Sequence, residues 1–189
     1  VLLQGLAGTA DVLLETFQPG YLSSLGLGYE HLSESNMGLV YASLTPFGQT
    51  GPYRDYRGSD LVGFAMGGYM YFCGEPGRPP LMVPGFQGEL HAGMQLALGA
   101  LIALRHSRRT GAGQHVDVST LESLLSAHCW LTTLWTHKGV VQERTGSALI
   151  RCADGFVYWM APRPAMDLFV LIERFELLDD PRWVAASQD

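Results

Sequence analysis

An α/β fold built on a parallel sheet is predicted by two observations. Short apolar runs of strand length alternate with amphipathic stretches of helical length, and most runs close on a cluster of Gly, Pro and polar residues. The composition is that of a packed core: 47% of the 189 residues are hydrophobic and only 16% are charged, against roughly a quarter charged in an ordinary globular domain. That length holds one domain, or one domain and the opening of a second.

The chain opens on a helical pattern, with Leu2, Leu3, Leu6 and Ala7 on one face. Asp11 to Glu15 is a short apolar run that Phe17-Gln18-Pro19-Gly20 breaks, which predicts a strand and then a loop. Tyr21 to Gly26 and Tyr29 to Ser35 are two short helical pieces separated by glycines, and Leu39 to Leu44 has the aromatic and β-branched content of a buried strand. Strand, helices, strand is the parallel βαβ alternation, and it places ligands beyond the carboxyl ends of the strands. Thr45 to Arg57 carries too much Pro and Gly for a regular element and is a long loop. Ser59 to Phe72 follows as a helix, with Ser59 or Asp60 as its cap. Gly74 to Pro84, with four prolines, is a second loop.

From Gly88 to His106, Leu90, Met94, Ala97, Leu98, Leu101 and Leu104 recur at helical spacing and predict the longest helix, with that stripe as its packed face. Small residues such as Ala92, Gly93, Gly99 and Ala100 allow close approach. Arg105 to Gly113 reads as a basic turn in which cations and glycine suit a helix C-terminus. Gln114 to Val118 is then a strand, and a helix runs from Thr120 to about Thr136, where Trp130 and Trp135 suit a buried face. Asp154-Gly155 between Arg151–Ala153 and Phe156–Met160 predicts a hairpin closed by a type I′ turn. The hairpin marks a change of architecture, so residues 1–140 are assigned to a partial large domain and 141–189 to a linker and the beginning of a smaller α+β domain, with a helix over Met166–Leu178.

Charge and composition exclude several function classes. Twelve Lys and Arg stand against 18 Asp and Glu, a net charge of −6, which argues against a nucleic-acid surface. The longest apolar stretch, Ala92 to Leu104, falls short of the roughly 20 residues of a membrane span. Cys73, Cys129 and Cys152 lack the spacing of a zinc site and read as buried thiols in a reducing, cytoplasmic compartment. No metal site is expected. No signal peptide is visible, and a chain that begins at Val1 within a helical pattern and stops shortly after Trp183 reads as a fragment.

Two groups of residues are candidates for chemistry. Glu89 lies in the first turn of the long helix: it is either a charge favoured by the helix dipole or a carboxylate presented as nucleophile or base. Arg54, Arg57, Arg105, Arg108 and Arg109 are the candidates for holding phosphate, because guanidinium forks match phosphate oxygens. Phe17-Gln18-Pro19-Gly20 sits where nucleotides bind in open α/β sheets, although no GxGxxG or Walker lysine accompanies it. His31, His106, His115, His128 and His137 are scattered and form no Ser-His-Asp spacing.

Several ordered motifs carry a resemblance. Ala10 to Gly20, Leu25-Gly26-Leu27-Gly28-Tyr29, Leu39 to Ser43, Phe47-Gly48-Gln49-Thr50-Gly51-Pro52-Tyr53, Gly74-Glu75-Pro76 with Pro79-Pro80, Thr110 to Val118 and Ala153-Asp154-Gly155 together resemble the class III CoA-transferase (CaiB/BaiF) family over roughly Ala10 to Trp183. The resemblance implies a Rossmann-like open parallel sheet with a smaller second domain, in chains about twice this length that interlock as homodimers. It implies that Thr16, Phe17, Gln18 and Gly20 border the nucleotide of coenzyme A, that Leu25 lies nearby, and that Arg57 contacts a CoA phosphate. Coenzyme A or acyl-CoA is then a substrate, with no permanently bound cofactor, and the second partner is a carboxylic acid acceptor.

In the family's transferases an aspartate at the start of the long helix attacks the acyl-CoA thioester, and Glu89 holds that position here. The resemblance thus implies CoA transfer between carboxylic acids through a carboxylate-linked intermediate. The alternatives are an acyl-CoA racemase or lyase and a non-catalytic CoA-binding relative. The family's racemases place a His before the Asp that opens the preceding helix; this chain has Ser59 before Asp60, so both racemase bases are altered.

Overall fold

The computed structural model describes residues 2–144, 149–158, 169–170 and 172–180. The chain divides into two compact units, Val1–Thr145 and Gly146–Asp189, and each is described by itself.

In the first unit the elements run α1 (Leu2–Ala7), β1 (Val12–Glu15), α2 (Tyr21–Ser24), α3 (Tyr29–Ser35), β2 (Val40–Thr45), α4 (Asp60–Met66), α5 (Tyr69–Phe72), α6 (Gln87–Thr110), β3 (Gln114–Ser119), α7 (Thr120–Ala127) and α8 (Cys129–Lys138). The three strands form one parallel sheet in the order β1-β2-β3, with Glu15 level with Ser43 and Ser43 level with Asp117. Side chains alternate between the two faces. On one face Leu39 and Tyr41 pack with Ala7, Leu22 and Leu32; on the other Val40 and Ala42 pack with Leu96, Ala100 and Ala103 of α6. The α/β reading with an open parallel sheet covered by helices therefore holds.

The long helix has the predicted period but turns a different face to the sheet. Gly88, Ala92, Leu96, Ala100, Ala103 and Ser107 are its buried residues, whereas Leu90, Met94, Leu98 and Leu101 are more than half exposed. Small residues win because the helix lies close to the strands: a Cβ on Gly99 would stand 2.9 Å from Val116 Cγ1. Arg105 to Thr110, expected as a turn, is the last part of α6. Arg108 and Arg109 occupy its final turn, and Gly111 closes it at φ 77° with its N–H donating to Ser107 O, as the dipole and the left-handed cap favour.

Two expected helices are each broken. Ser59–Phe72 divides into α4 and α5 at Gly67-Gly68, where Gly68 takes φ 85°. Thr120–Thr136 divides into α7 and α8 at His128, which leaves helical backbone at φ −119°, ψ 44°. The breaks face each other. The buried His128 ring is hydrogen-bonded to the Gly67 carbonyl and lies 4.7 Å from the Tyr69 ring. Trp130 and Trp135 are exposed rather than buried, because α8 buries none of its residues against the described elements. Cys129 and Cys152 are likewise exposed and Cys73 half-buried, which corrects the reading of three buried thiols.

In the second unit, β4 (Leu149–Arg151) and β5 (Phe156–Tyr158) pair antiparallel. The predicted hairpin is present, but its turn, which spans residues 152–155, is not of type I′. Cys152 N–H donates to Gly155 O at 2.9 Å, and Asp154 and Gly155 are absent from the positive-φ residues that such a turn requires. Of the helix expected over Met166–Leu178, residues 166–168 and 171 lie outside the described residues. Glu173 takes φ 59°, which interrupts regular helix, and only a 3-10 turn at Phe175–Leu177 follows.

Candidate active site

The carboxyl ends of the strands hold two loops together. Glu15 closes β1 and is buried; its Oε2 accepts the Phe17 N–H at 2.8 Å and its Oε1 accepts a Gln49 Nε2–H at 3.4 Å. Gln49, in the loop after β2, also donates its backbone N–H to Asp117 Oδ2 of β3 at 2.8 Å. Three strands thus fix where the Phe17 loop and the 46–58 loop stand. Between these loops lies a cleft of about 460 Å³, lined by Thr16, Phe17 and Gln18 on one side and by Arg54, Tyr56 and Arg57 on the other. Arg54 is ion-paired with Asp55 at 3.2 Å, whereas Arg57 has no ion pair among the described residues. Arg57 is therefore the guanidinium left to meet an incoming anion.

A smaller cavity of about 60 Å³ continues from this cleft. It is lined by Asp60, Gly63, Glu89 and Thr120, and it shares Pro46 and Gly58 with the larger one. Glu89 is solvent-exposed, so its carboxylate is reachable, while its backbone N–H donates to Asp60 Oδ1 at 3.0 Å. Gly58 has no room for a side chain: a Cβ would stand 2.3 Å from Pro46 Cβ. Gly58→Ala is expected to push the proline aside and to destabilise the protein by about 2 kcal/mol, the usual scale of overpacking. A thermal melt checks it.

The structure brings together most of the residues singled out in the sequence. Thr16, Phe17, Gln18 and Arg57 line one cleft and Glu89 the cavity that joins it. Gly20, at φ 82°, lines a third cavity of about 370 Å³ together with Gln18 and Arg54. Leu25 is exposed at the end of α2 and lines none of these cavities. In the third cavity, burial first and then Glu15 and Glu30 push the Tyr41 hydroxyl up to about 12, so it stays a neutral donor. Ser43 Oγ and His115 Nε2 lie 2.8 Å apart, a pairing that spacing did not show. Ser43 is fully buried, and the pair ties β2 to β3. Glu15, Gln49 and Asp117 were missed as site residues, although Glu15 and Asp117 stand near the carboxyl ends of their strands. Among the described residues no group of three or more His, Cys, Asp or Glu is placed to hold a metal ion, and no helix is long and apolar enough to cross a membrane.

An open parallel sheet carries across its strand ends a polar cleft with an unneutralised arginine and, adjoining it, a cavity with a reachable carboxylate. The chain belongs to CoA-transferase family III, which it matches over residues 1–189. It is 37% identical to the BbsE subunit of succinyl-CoA:(R)-benzylsuccinate CoA-transferase from Thauera aromatica, over 95% of this chain and 47% of that one. It is 40% identical to succinyl-CoA–D-citramalate CoA-transferase from Chloroflexus aurantiacus, over 83% of this chain and 39% of that one. A CaiB/BaiF family protein from Brucella suis superposes with a TM-score of 0.83 at 30% identity, covering 97% of this chain and 51% of that one. The chain thus spans about half the length of the relatives it matches.

Proposed function

We propose that this chain is the CoA-binding and catalytic part of an enzyme that moves CoA from an acyl-CoA to a free carboxylic acid, with Glu89 as nucleophile. The observation that carries the reading is the shared wall of Pro46 and Gly58. It joins a cleft that holds Phe17 and Arg57 to the cavity that holds Glu89, so one extended ligand reaches both. In this reading the nucleotide lies along Thr16, Phe17, Gln18 and Gly20 with Leu25 at its margin, Arg57 meets a phosphate, and the thioester lies beside Glu89.

The chemistry needs no metal and no redox partner. A Glu89 carboxylate oxygen attacks the thioester carbonyl and expels the CoA thiolate, which leaves a mixed anhydride. The thiolate then attacks the glutamyl carbonyl, releasing the donor acid and leaving CoA on Glu89 as a thioester. The acceptor carboxylate attacks that thioester and expels the thiolate again. The thiolate finally takes the acceptor acyl group from the second anhydride and frees Glu89. Succinyl-CoA is the donor to try first, because two relatives are named for it.

The family's racemase chemistry has less support, since Ser59, the cap of α4 whose hydroxyl accepts the Val62 N–H at 3.4 Å, stands where the racemases carry a histidine base and Glu89 where they carry an aspartate. An interlocked homodimer in the cytoplasm, with residues 141–189 opening the smaller domain, completes the proposal. The exposed apolar stripe Leu90, Met94, Leu98 and Leu101 on α6 supports an assembly that covers it.

Arg57→Ala is expected to raise KM for acyl-CoA about 10- to 100-fold with kcat changed less than about 3-fold, the scale of one lost hydrogen-bonded charge. The salt dependence of KM should weaken in the variant. Kinetics of the intact enzyme at low and high ionic strength test this assignment, and an unchanged KM would remove Arg57 from the site.

A further inference from the structure

We infer that Asp60 is a positioning residue for Glu89, holding the first turn of α6 in the one place where the carboxylate can attack. The inference rests on the reading of Glu89 as nucleophile. Helix α6 begins without a cap of its own: Phe86, at its N-cap position, sits in left-handed backbone at φ 56°, ψ 34° and makes no side-chain cap bond. The first N–H groups of a helix have no partner within it. Here one of them, the Glu89 N–H, is taken by Asp60 Oδ1 at 3.0 Å. Asp60 comes from α4, which already has Ser59 as its own cap.

Asp60 is only 6% exposed, and its second oxygen, Oδ2, is buried without a hydrogen-bond partner among the described residues. Burying a carboxylate is costly, and its place in the first turn of α4 and against the first turn of α6 offsets part of that cost through both helix dipoles. The neighbouring residue is shaped to the contact as well. A Cβ on Gly88 would stand 2.5 Å from Asp60 Oδ1 and 3.3 Å from both Leu124 and Phe64, so a side chain there would push Asp60 off the helix. A buried carboxylate, aimed at the backbone of the proposed nucleophile and given room by a glycine, serves the geometry of Glu89. Misplacing a reacting group by about 1 Å costs on the order of 100-fold in rate.

The test compares Asp60→Ala, Asp60→Asn and Glu89→Ala in the intact enzyme, with acyl-CoA kinetics, intact-protein mass spectrometry and a thermal melt for each. Asp60→Ala is expected to lower kcat about 30- to 100-fold and to slow formation of the Glu89-linked CoA adduct equally, with KM for acyl-CoA within about 3-fold. Asp60→Asn keeps an oxygen for the Glu89 N–H and is expected to recover kcat to within about 5-fold of the parent. Should the Ala variant not fold, Asp60→Ser replaces it, because its shorter hydroxyl falls short of the Glu89 N–H. An Asp60→Ala enzyme with parental kcat would overturn the inference, and so would an Asn variant as slow as Ala, since the charge and not the held backbone would then matter. If Glu89→Ala itself still transfers CoA, the nucleophile assignment falls and this inference with it. If Glu89→Ala is dead and Asp60→Ala is normal, only the role of Asp60 is lost.

Discussion

Glu89→Ala in the intact enzyme is expected to lower kcat at least about 1,000-fold, a loss of about 4 kcal/mol of transition-state stabilisation. In the proposed mechanism, removing the carboxylate removes the atom on which both the anhydride and the enzyme-bound thioester form, and the other carboxylate lining the same cavity, Asp60, is only 6% exposed with its Oδ1 already accepting the Glu89 N–H. Binding is expected to survive, because Arg57 and the Phe17 loop lie in the adjoining cleft and touch nothing that the substitution changes. Glu89→Asp restores the residue type found in the family's transferases but withdraws the oxygen by one methylene. In a site whose helix start is fixed by Asp60, that retreat is expected to cost about 10- to 100-fold in kcat. An Asp variant faster than the parent would mean that the cavity is built for the shorter side chain and that Glu89 serves another chemistry. A kcat comparison of the three enzymes at saturating acyl-CoA decides between these outcomes.

Gly113→Ala is expected to destabilise the protein by about 3 kcal/mol or more, the range of severe overpacking in a rigid surrounding. An added Cβ would stand 2.0 Å from the Leu39 carbonyl oxygen and 2.7 Å from Gly38 C. Both are backbone atoms that cannot swing away. The Gly113 N–H also donates to Met37 O at 2.6 Å, so the segment that enters β3 is clamped against the segment that enters β2. Pushing them apart shifts the register that sets Ser43 level with Asp117, and with it the Gln49 bond that positions the 46–58 loop. A melt or urea titration should show the loss directly, and a midpoint unchanged within error would contradict the close approach.

Gly113 also shows what kind of information the sequence carries. Its place between a basic helix end and an alternating run marked a boundary correctly, but the reason for a glycine there is a contact with Leu39, seventy-four positions away, and no local pattern holds that. The same limit explains α6. Its period was legible, yet the face that packs was misread, because the stripe richest in Leu and Met was taken as the core when the sheet's closeness selects Ala and Gly. The helix breaks at Gly67-Gly68 and at His128 depend on each other across the fold and were therefore invisible singly. The α/β class and the parallel sheet were legible because alternation is local. Among the candidate site residues, Phe17 and Gln18 followed from their place at a strand end, and Arg57 and Glu89 from the family resemblance. Asp60 was seen only as a possible cap for its own helix, since the helix it does cap begins almost thirty residues later.

If CoA passes through a covalent bond to Glu89, mass spectrometry of the intact enzyme incubated with succinyl-CoA and other acyl-CoAs, followed by mapping of the peptide that contains Glu89, will detect the adduct. The expected result is a CoA thioester on Glu89 that is absent from Glu89→Ala and disappears when an acceptor acid is added. A native enzyme that transfers CoA without any adduct on that peptide, or with the adduct on another residue, would contradict it.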